Sequence, residues 1–199
     1  MPPRRVRIIG RTLAAIVARA PWLWRVIRGP VQRFWNRTAR SWDANETPAR
    51  TQALLAALEH VGQPKRILEI GTGTGTGAAI MKAHFPDAEV TGVDLSPEMV
   101  RIAQAKVQGV TFAPADAARL PFADASFELV AQNNVPVYFS EITRVLAPGG
   151  RVLITSTFGP ATPYYTPHKL LRRRFAKLGF SDQRSEQEPP GDWFTATKE

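Results

Sequence analysis

The chain contains no cysteine, which excludes a disulfide framework, a thiolate zinc site and a cysteine nucleophile together. It also lacks a long apolar run. No stretch reaches the roughly 18 residues that cross a bilayer, because Arg11, Arg19 and Arg25 punctuate the best candidate. Arg4-Arg5 and Ala18-Arg19-Ala20 faintly imitate a secretory signal, but Arg11 interrupts its apolar region and a cytoplasmic location is expected. Acid is missing from residues 1–40, which hold ten arginines: Arg4, Arg5, Arg7, Arg11, Arg19, Arg25, Arg28, Arg33, Arg37 and Arg40. The net charge of +9 is therefore an N-terminal property and the rest is close to neutral. A nucleic-acid binder would spread that charge over the domain.

What is present fits one core with an appendage, since 199 residues at 44% apolar content do not hold a second catalytic domain. The seam falls near Ser41 to Thr47, dividing an arginine-rich segment, residues 1–45, from a domain over residues 46–199. After the seam, strands and helices alternate, which predicts a parallel sheet with helices on both faces.

Pro48 starts a helical pattern running over Ala49–Val61 and stopped by Gly62. Arg66–Ile70 reads as a strand entering a glycine loop, Gly75–Phe85 as a helix and Glu89–Asp94 as the second strand. Ser96 and Pro97 cap a helix over Ser96–Val107. Further strands are expected at Val110–Ala113, Phe127–Gln132 and Gly150–Thr157, with helices at Ser140–Leu146 and Pro167–Leu178. Phe180–Arg184 and Trp193–Thr197 form a closing pair around Pro189-Pro190-Gly191.

The chemistry begins at Glu69-Ile70-Gly71-Thr72-Gly73-Thr74-Gly75-Thr76-Gly77. Glycines there allow a sharp strand-to-helix turn and a close approach of backbone to ligand. Alone they also fit a plain glycine-rich turn, or a nicotinamide fingerprint forced onto Gly73, Gly75 and Ala78. Asp94 adds to the signal: an acid closing the second strand, about twenty residues on, is placed to accept from ribose hydroxyls.

From Arg66 to Lys198 the sequence resembles the class I methyltransferases that use S-adenosylmethionine (AdoMet), in particular the group that includes quinone-biosynthesis C-methyltransferases. The resemblance is carried by Ile67 to Gly75, Gly92-Val93-Asp94-Leu95-Ser96-Pro97-Glu98-Met99, Asp116-Ala117, Leu120-Pro121-Phe122, Ser126 to Val130 and Glu141 to Gly150. It implies a doubly wound, mostly parallel seven-stranded α/β sheet of order 3-2-1-4-5-7-6 with the last strand antiparallel. By the same likeness Gly71, Thr72, Gly73 and Gly75 cradle the methionine and ribose of AdoMet, with Glu69 beneath them holding the amino end. Asp94 takes the ribose hydroxyls, Leu95 and Met99 border the adenine, Asp116 accepts from its amino group and the Ala117 amide donates to the ring. Asn133 or Asn134 sits near the transferable methyl group. The residues agree with this: Glu69 can face a cationic amine, and AdoMet has no pyrophosphate to need a dinucleotide spacing.

Two departures stand out. Only six residues separate Asn134 from Glu141, and a ready general base is missing. Of the three histidines, only His168 is placed to reach the site; a solvated helix start explains it equally. Because the sulfonium leaving group is neutral, positioning can supply much of the rate. Asn134 and Tyr138 are the candidates for positioning the reaction, and Tyr164, Tyr165 and His168 for contact with the acceptor. No metal is implied. The expected function is methyl transfer from AdoMet to a small-molecule or lipid-like acceptor; a non-catalytic AdoMet-binding or membrane-attached sensor module, or a nicotinamide oxidoreductase, are the alternatives.

In the basic segment Ile9, Leu13, Ile16, Ala20, Leu23, Ile27, Val31 and Phe34 form one stripe opposite most arginines. Pro21 and Pro30 predict two or three short helices. These helices could roof the AdoMet site with Trp35 and Trp42 buried. They could instead lie on an anionic membrane surface through arginine and Trp22, Trp24 and Trp35, or bind nucleic acid, for which no reading module is present.

Overall fold

The computed structural model describes residues 8, 10–14, 17, 23–43 and 48–199. The expectations at Arg4, Arg5, Arg7, Ile9, Ile16, Arg19, Ala20, Pro21, Trp22 and Thr47 lie outside the described residues. Seven strands form one sheet of order β3-β2-β1-β4-β5-β7-β6: β1 Arg66–Ile70, β2 Glu89–Asp94, β3 Val110–Pro114, β4 Phe127–Asn133, β5 Leu146–Ser156, β6 Phe180–Glu188 and β7 Gly191–Lys198. β1 pairs in parallel with β2 and β4, β2 with β3, and β4 with β5. β7 runs antiparallel to both β5 and β6. Fold class and strand order are as the sequence implied.

The helices are α1 Trp24–Thr38, α2 Gln52–Leu58, α3 Thr76–His84, α4 Pro97–Lys106, α5 Phe139–Val145 and α6 His168–Lys177. Alternation along the strands builds two cores. Leu68, Ile70 and Val130 meet Ile142, Leu171 and Phe175 on one face, while Ile67, Leu129 and Leu153 meet Leu54, Leu58 and Met81 on the other. Glu69 shares the parity of Ile67 and so points toward α3. A third cluster joins α1 to the domain: Val17, Trp24 and Tyr138 pack with Ile27, Val31, Leu95, Ala117 and Ala118. No helix among the described residues is long and apolar enough to cross a membrane.

Four local expectations are corrected. α1 continues through Pro30, so Pro30 does not end a helix. The one backbone bond proline removes is that to the Val26 carbonyl, and Val26 is 72% exposed, where water can satisfy it. Phe34 lies outside the buried stripe, at 54% exposure; Trp24 takes the inward place instead. The helix expected over Ala49–Val61 opens with a 3-10 turn at Pro48–Arg50 and becomes α-helical only over Gln52–Leu58. The strand expected over Gly150–Thr157 instead runs over Leu146–Ser156 as β5, taking in Pro148-Gly149-Gly150, and shifts register against β4 between Phe127 and Leu129.

Candidate cofactor and acceptor site

The carboxyl ends of β3, β2, β1 and β4 lie side by side, which brings Asp116, Asp94, the glycine loop and Asn133 to one edge of the sheet. The loop is fastened where Gly71 and Thr72 donate their amides to the Val93 carbonyl at 2.8 and 3.0 Å. It turns at left-handed Gly73 and Gly75 (φ 55° and 85°), a conformation that glycine alone adopts freely. Gly75 then caps α3.

Glu69 is buried beneath this loop. It accepts from the Thr72 hydroxyl and from the Ala78 amide in the first turn of α3. A Cβ at position 77 would lie 2.0 Å from its Oε1, so Gly77 makes room for the carboxylate. Burial pushes the Glu69 carboxyl up to about 7 against those hydrogen bonds, and the charge of Asp94 adds to the rise. Asp94 faces the loop as expected: its Oδ2 accepts from the Gly73 amide at 3.0 Å and its Oδ1 from the Ser96 amide at 2.8 Å. Burial raises its carboxyl too, opposed by those N–H donors.

Ser96 caps α4, accepting from the Met99 amide at 3.2 Å, and Met99 is buried behind it. Leu95 and Ala117 line the third apolar cluster. Asp116, after β3, accepts from the Ala118 amide at 2.9 Å. It is also held by α1: the Trp24 indole N–H donates to Oδ1 at 2.8 Å and Arg28 reaches Oδ2 at 3.3 Å.

At the end of β4, Asn133 Oδ1 is buried with no partner. Asn134 takes a left-handed conformation (φ 56°) and turns to Thr157, donating to its hydroxyl at 2.6 Å and accepting from its amide at 2.9 Å. That places Asn134 as a clamp between the ends of β4 and β5, and leaves Asn133 as the free acceptor. Tyr138 is buried edge-on to Trp24, ring centroids 5.9 Å apart. Burial and the charge of Asp116 hold its hydroxyl protonated far above the ordinary range. Burial raises Tyr164 to about 12. Tyr165 and His168 gather instead around Asp192, which is buried at the start of β7. His168 Nε2 lies 3.6 Å from Asp192 Oδ1, and burial together with Asp192 raises the Tyr165 hydroxyl.

Sequence reasoning missed three participants. Asp192 carried a signal, an acid directly before the apolar pair Trp193-Phe194. Val135 packs over the loop, where a Cβ on Gly71 would lie 2.3 Å from its Cγ1. Asp43, which accepts from Thr74 and pairs with Lys106 at 2.9 Å, had no signal because its partners are distant in sequence.

Glu69, Asp94, Asp116 and Asn133 therefore ring the crevice with acceptor oxygens, and Arg28 of α1 reaches it as a cation at Asp116. Such a lining suits a ligand that is cationic and rich in hydroxyl and amino donors, and repels a pyrophosphate. The residues present fit AdoMet, whose ammonium, sulfonium, ribose hydroxyls and adenine amine are of that kind.

Residues 67–150 match the family described as "Methyltransferase domain". The chain is 33% identical over 177 residues to a demethylmenaquinone methyltransferase of Deinococcus radiodurans, covering 80% of this chain and 67% of that protein. It is 38% identical over 122 residues to a malonyl-[acyl-carrier protein] O-methyltransferase of Methylococcus capsulatus, covering 56% of this chain and 44% of that one. Across such curated relatives the match spans about half to two thirds of their length. Among solved structures, Haemonchus contortus phosphoethanolamine N-methyltransferase 2 in complex with S-adenosyl-L-methionine superposes with a TM-score of 0.64 at 22% identity, over 82% of this chain and 60% of that one, a likeness of fold.

Proposed function

The chain belongs to the class I AdoMet-dependent methyltransferases, and from that premise we propose that it moves the AdoMet methyl group to a small, lipid-like acceptor. The observation that carries this is the ring of acceptors around the glycine loop, whose donors and charges complement a sulfonium nucleoside. When bound, AdoMet supplies an activated methyl group on a positive sulfur. Glu69 and Asn133 then offer oxygen to its ammonium end, Asp94 to the ribose hydroxyls and Asp116 to the adenine amine. Asn134 sets the end of β4 through Thr157, and Tyr138, protonated, lies beside Trp24 and Asp116 at the adenine end.

Transfer forms one bond from carbon to the acceptor's oxygen, nitrogen or carbon and breaks one carbon–sulfur bond, so geometry and exclusion of water dominate its rate. The acceptor's proton goes to water or to His168, which lies 3.6 Å from Asp192. The relatives' printed names support an acceptor of quinone or acyl type. The exposed arginines of α1 support residence of residues 1–40 on an anionic membrane surface, where such an acceptor dissolves.

Calorimetric titration with S-adenosylhomocysteine tests the cofactor half. Asp94→Asn is expected to weaken binding at least about tenfold, since a ribose diol held by a carboxylate loses a charge-assisted pair. Transfer of labelled methyl from AdoMet into a lipid extract tests the other half. Tight cofactor binding with no label moved into any fraction would overturn catalysis and leave an AdoMet sensor.

A further inference from the structure

The crevice is closed by the chain's own helix. Trp24, 5% exposed, puts its indole N–H on Asp116 Oδ1 at 2.8 Å, and Arg28 covers Oδ2. Trp24, Ile27 and Val31 pack on Leu95, Ala117 and Ala118. Asp116 is the group that the function proposed above gives to the adenine amine, and Leu95 and Ala117 are among those that the family resemblance sets around its ring. Indole and adenine are both planar fused bicycles with a peripheral N–H donor, so a carboxylate and slot of this size can hold one or the other. We propose that α1 is an internal plug in which Trp24 occupies the adenine subsite, and that the helix must leave for AdoMet to enter.

α1 is built to be held by docking rather than by its own helicity. Its first turn has no side-chain cap and no acid, and Pro30 interrupts its hydrogen bonds; a helix of 15 residues with those defects is marginal alone. Its ties to the domain are few and concentrated at the cofactor edge. Beyond Asp116 they are Gln32 to the Leu95 carbonyl at 2.9 Å and the Ser96 hydroxyl to Asn36 at 2.6 Å, to which the 3-10 turn after α1, Ala39–Ser41, adds an exposed Arg40 to Glu98 pair at 3.6 Å. Three of these four anchors fall on the β2–α4 turn and helix start that follow Asp94. A ligand that takes Asp116 thus removes the seat of Trp24 and Arg28, and a docked helix removes the ligand's. The two states exclude each other, and apparent affinity is reduced by the fraction of chains that are plugged.

The inference rests on Asp116 being the adenine acceptor, and the experiment separates the two claims. S-adenosylhomocysteine affinity is measured by calorimetry for the wild-type chain, Trp24→Ala and Arg28→Ala. The plug requires Trp24→Ala to bind at least about tenfold tighter and Arg28→Ala to bind tighter by a smaller factor. Equal or weaker binding by Trp24→Ala overturns it, because Trp24 would then be a bystander or part of the bound site. Since the chain has no cysteine, Asn36→Cys with Ser96→Cys gives a clean second reading. The oxidised, cross-linked protein is expected to lose nucleoside binding and to regain it on reduction. Failure to cross-link, or binding unchanged by oxidation, overturns the plug as well. If no form, wild-type or variant, binds S-adenosylhomocysteine, the cofactor assignment itself is what fails.

Discussion

Glu69 concentrates the tension of the site in one side chain. It is sunk under the glycine loop with two hydrogen-bond donors and no cation, so its carboxyl is raised to about 7. The folded chain therefore holds a proton that the unfolded chain has released, and stability must fall as pH rises from about 4.5 to about 7. Asp94 is shifted in the same direction and adds to the slope. A shift of this size corresponds to at most about 3 kcal/mol, and Glu69→Gln is expected to remove the larger part of it. Urea denaturation of both proteins at pH 5 and pH 8 checks this: the variant should gain on wild type at pH 8 relative to pH 5. A difference between the two proteins that is the same at both pH values would mean that Glu69 is ionised throughout. A cationic ammonium bound beside Glu69 would relieve the same strain, which is a physical reason for a carboxylate at this depth.

At the scale of elements, the helix behind Asp94 shows how capping and site are joined. Ser96 Oγ accepts from the Met99 amide and donates to Asn36 of α1, so one hydroxyl both starts α4 and anchors α1. Ser96→Ala is expected to lower unfolding free energy by about 1 kcal/mol and also to loosen α1, read as faster amide exchange across Trp24–Thr38. Loss of stability with unchanged exchange would separate the two roles. This cap was legible in the sequence, because Ser96-Pro97 is local chemistry, and so were β1 to β4, whose apolar runs need no distant partner, whereas β5 and β6 run beyond the bounds read for them. The register of Asp94 with the glycine loop was legible for the same reason. What escaped reading depends on contacts far along the chain: Trp24 and Arg28 on Asp116, Asp192 gathering Tyr165 and His168, and Val135 over Gly71. Pro30 misled for a related reason, since docking of Trp24, Ile27 and Val31 outweighs the local cost of one missing hydrogen bond. Phe34 fell on the periodic stripe but not on the buried face, because the domain meets α1 along a line set by Trp24.

Over the whole molecule, the charge is divided as unevenly as the chemistry. The α/β domain is near neutral, whereas α1 turns Arg25 and Arg33 outward beside Val26 and Phe34, which are 72% and 54% exposed. A helix of arginines interleaved with apolar side chains gains energy on an anionic bilayer through both its charges and its buried surface. If α1 is shared between the adenine subsite and that surface, the two ligands must act on each other by the same factor in both directions. Anionic vesicles should therefore tighten S-adenosylhomocysteine binding, and S-adenosylhomocysteine should increase sedimentation with those vesicles. Neutral vesicles should do neither, and added salt should weaken the effect as it screens the arginines. Arg25→Ala with Arg33→Ala should abolish the vesicle effect while leaving nucleoside affinity in solution unchanged, because neither side chain touches the crevice. Sedimentation that ignores the nucleoside would show that α1 meets the membrane, if at all, without leaving its seat on Asp116.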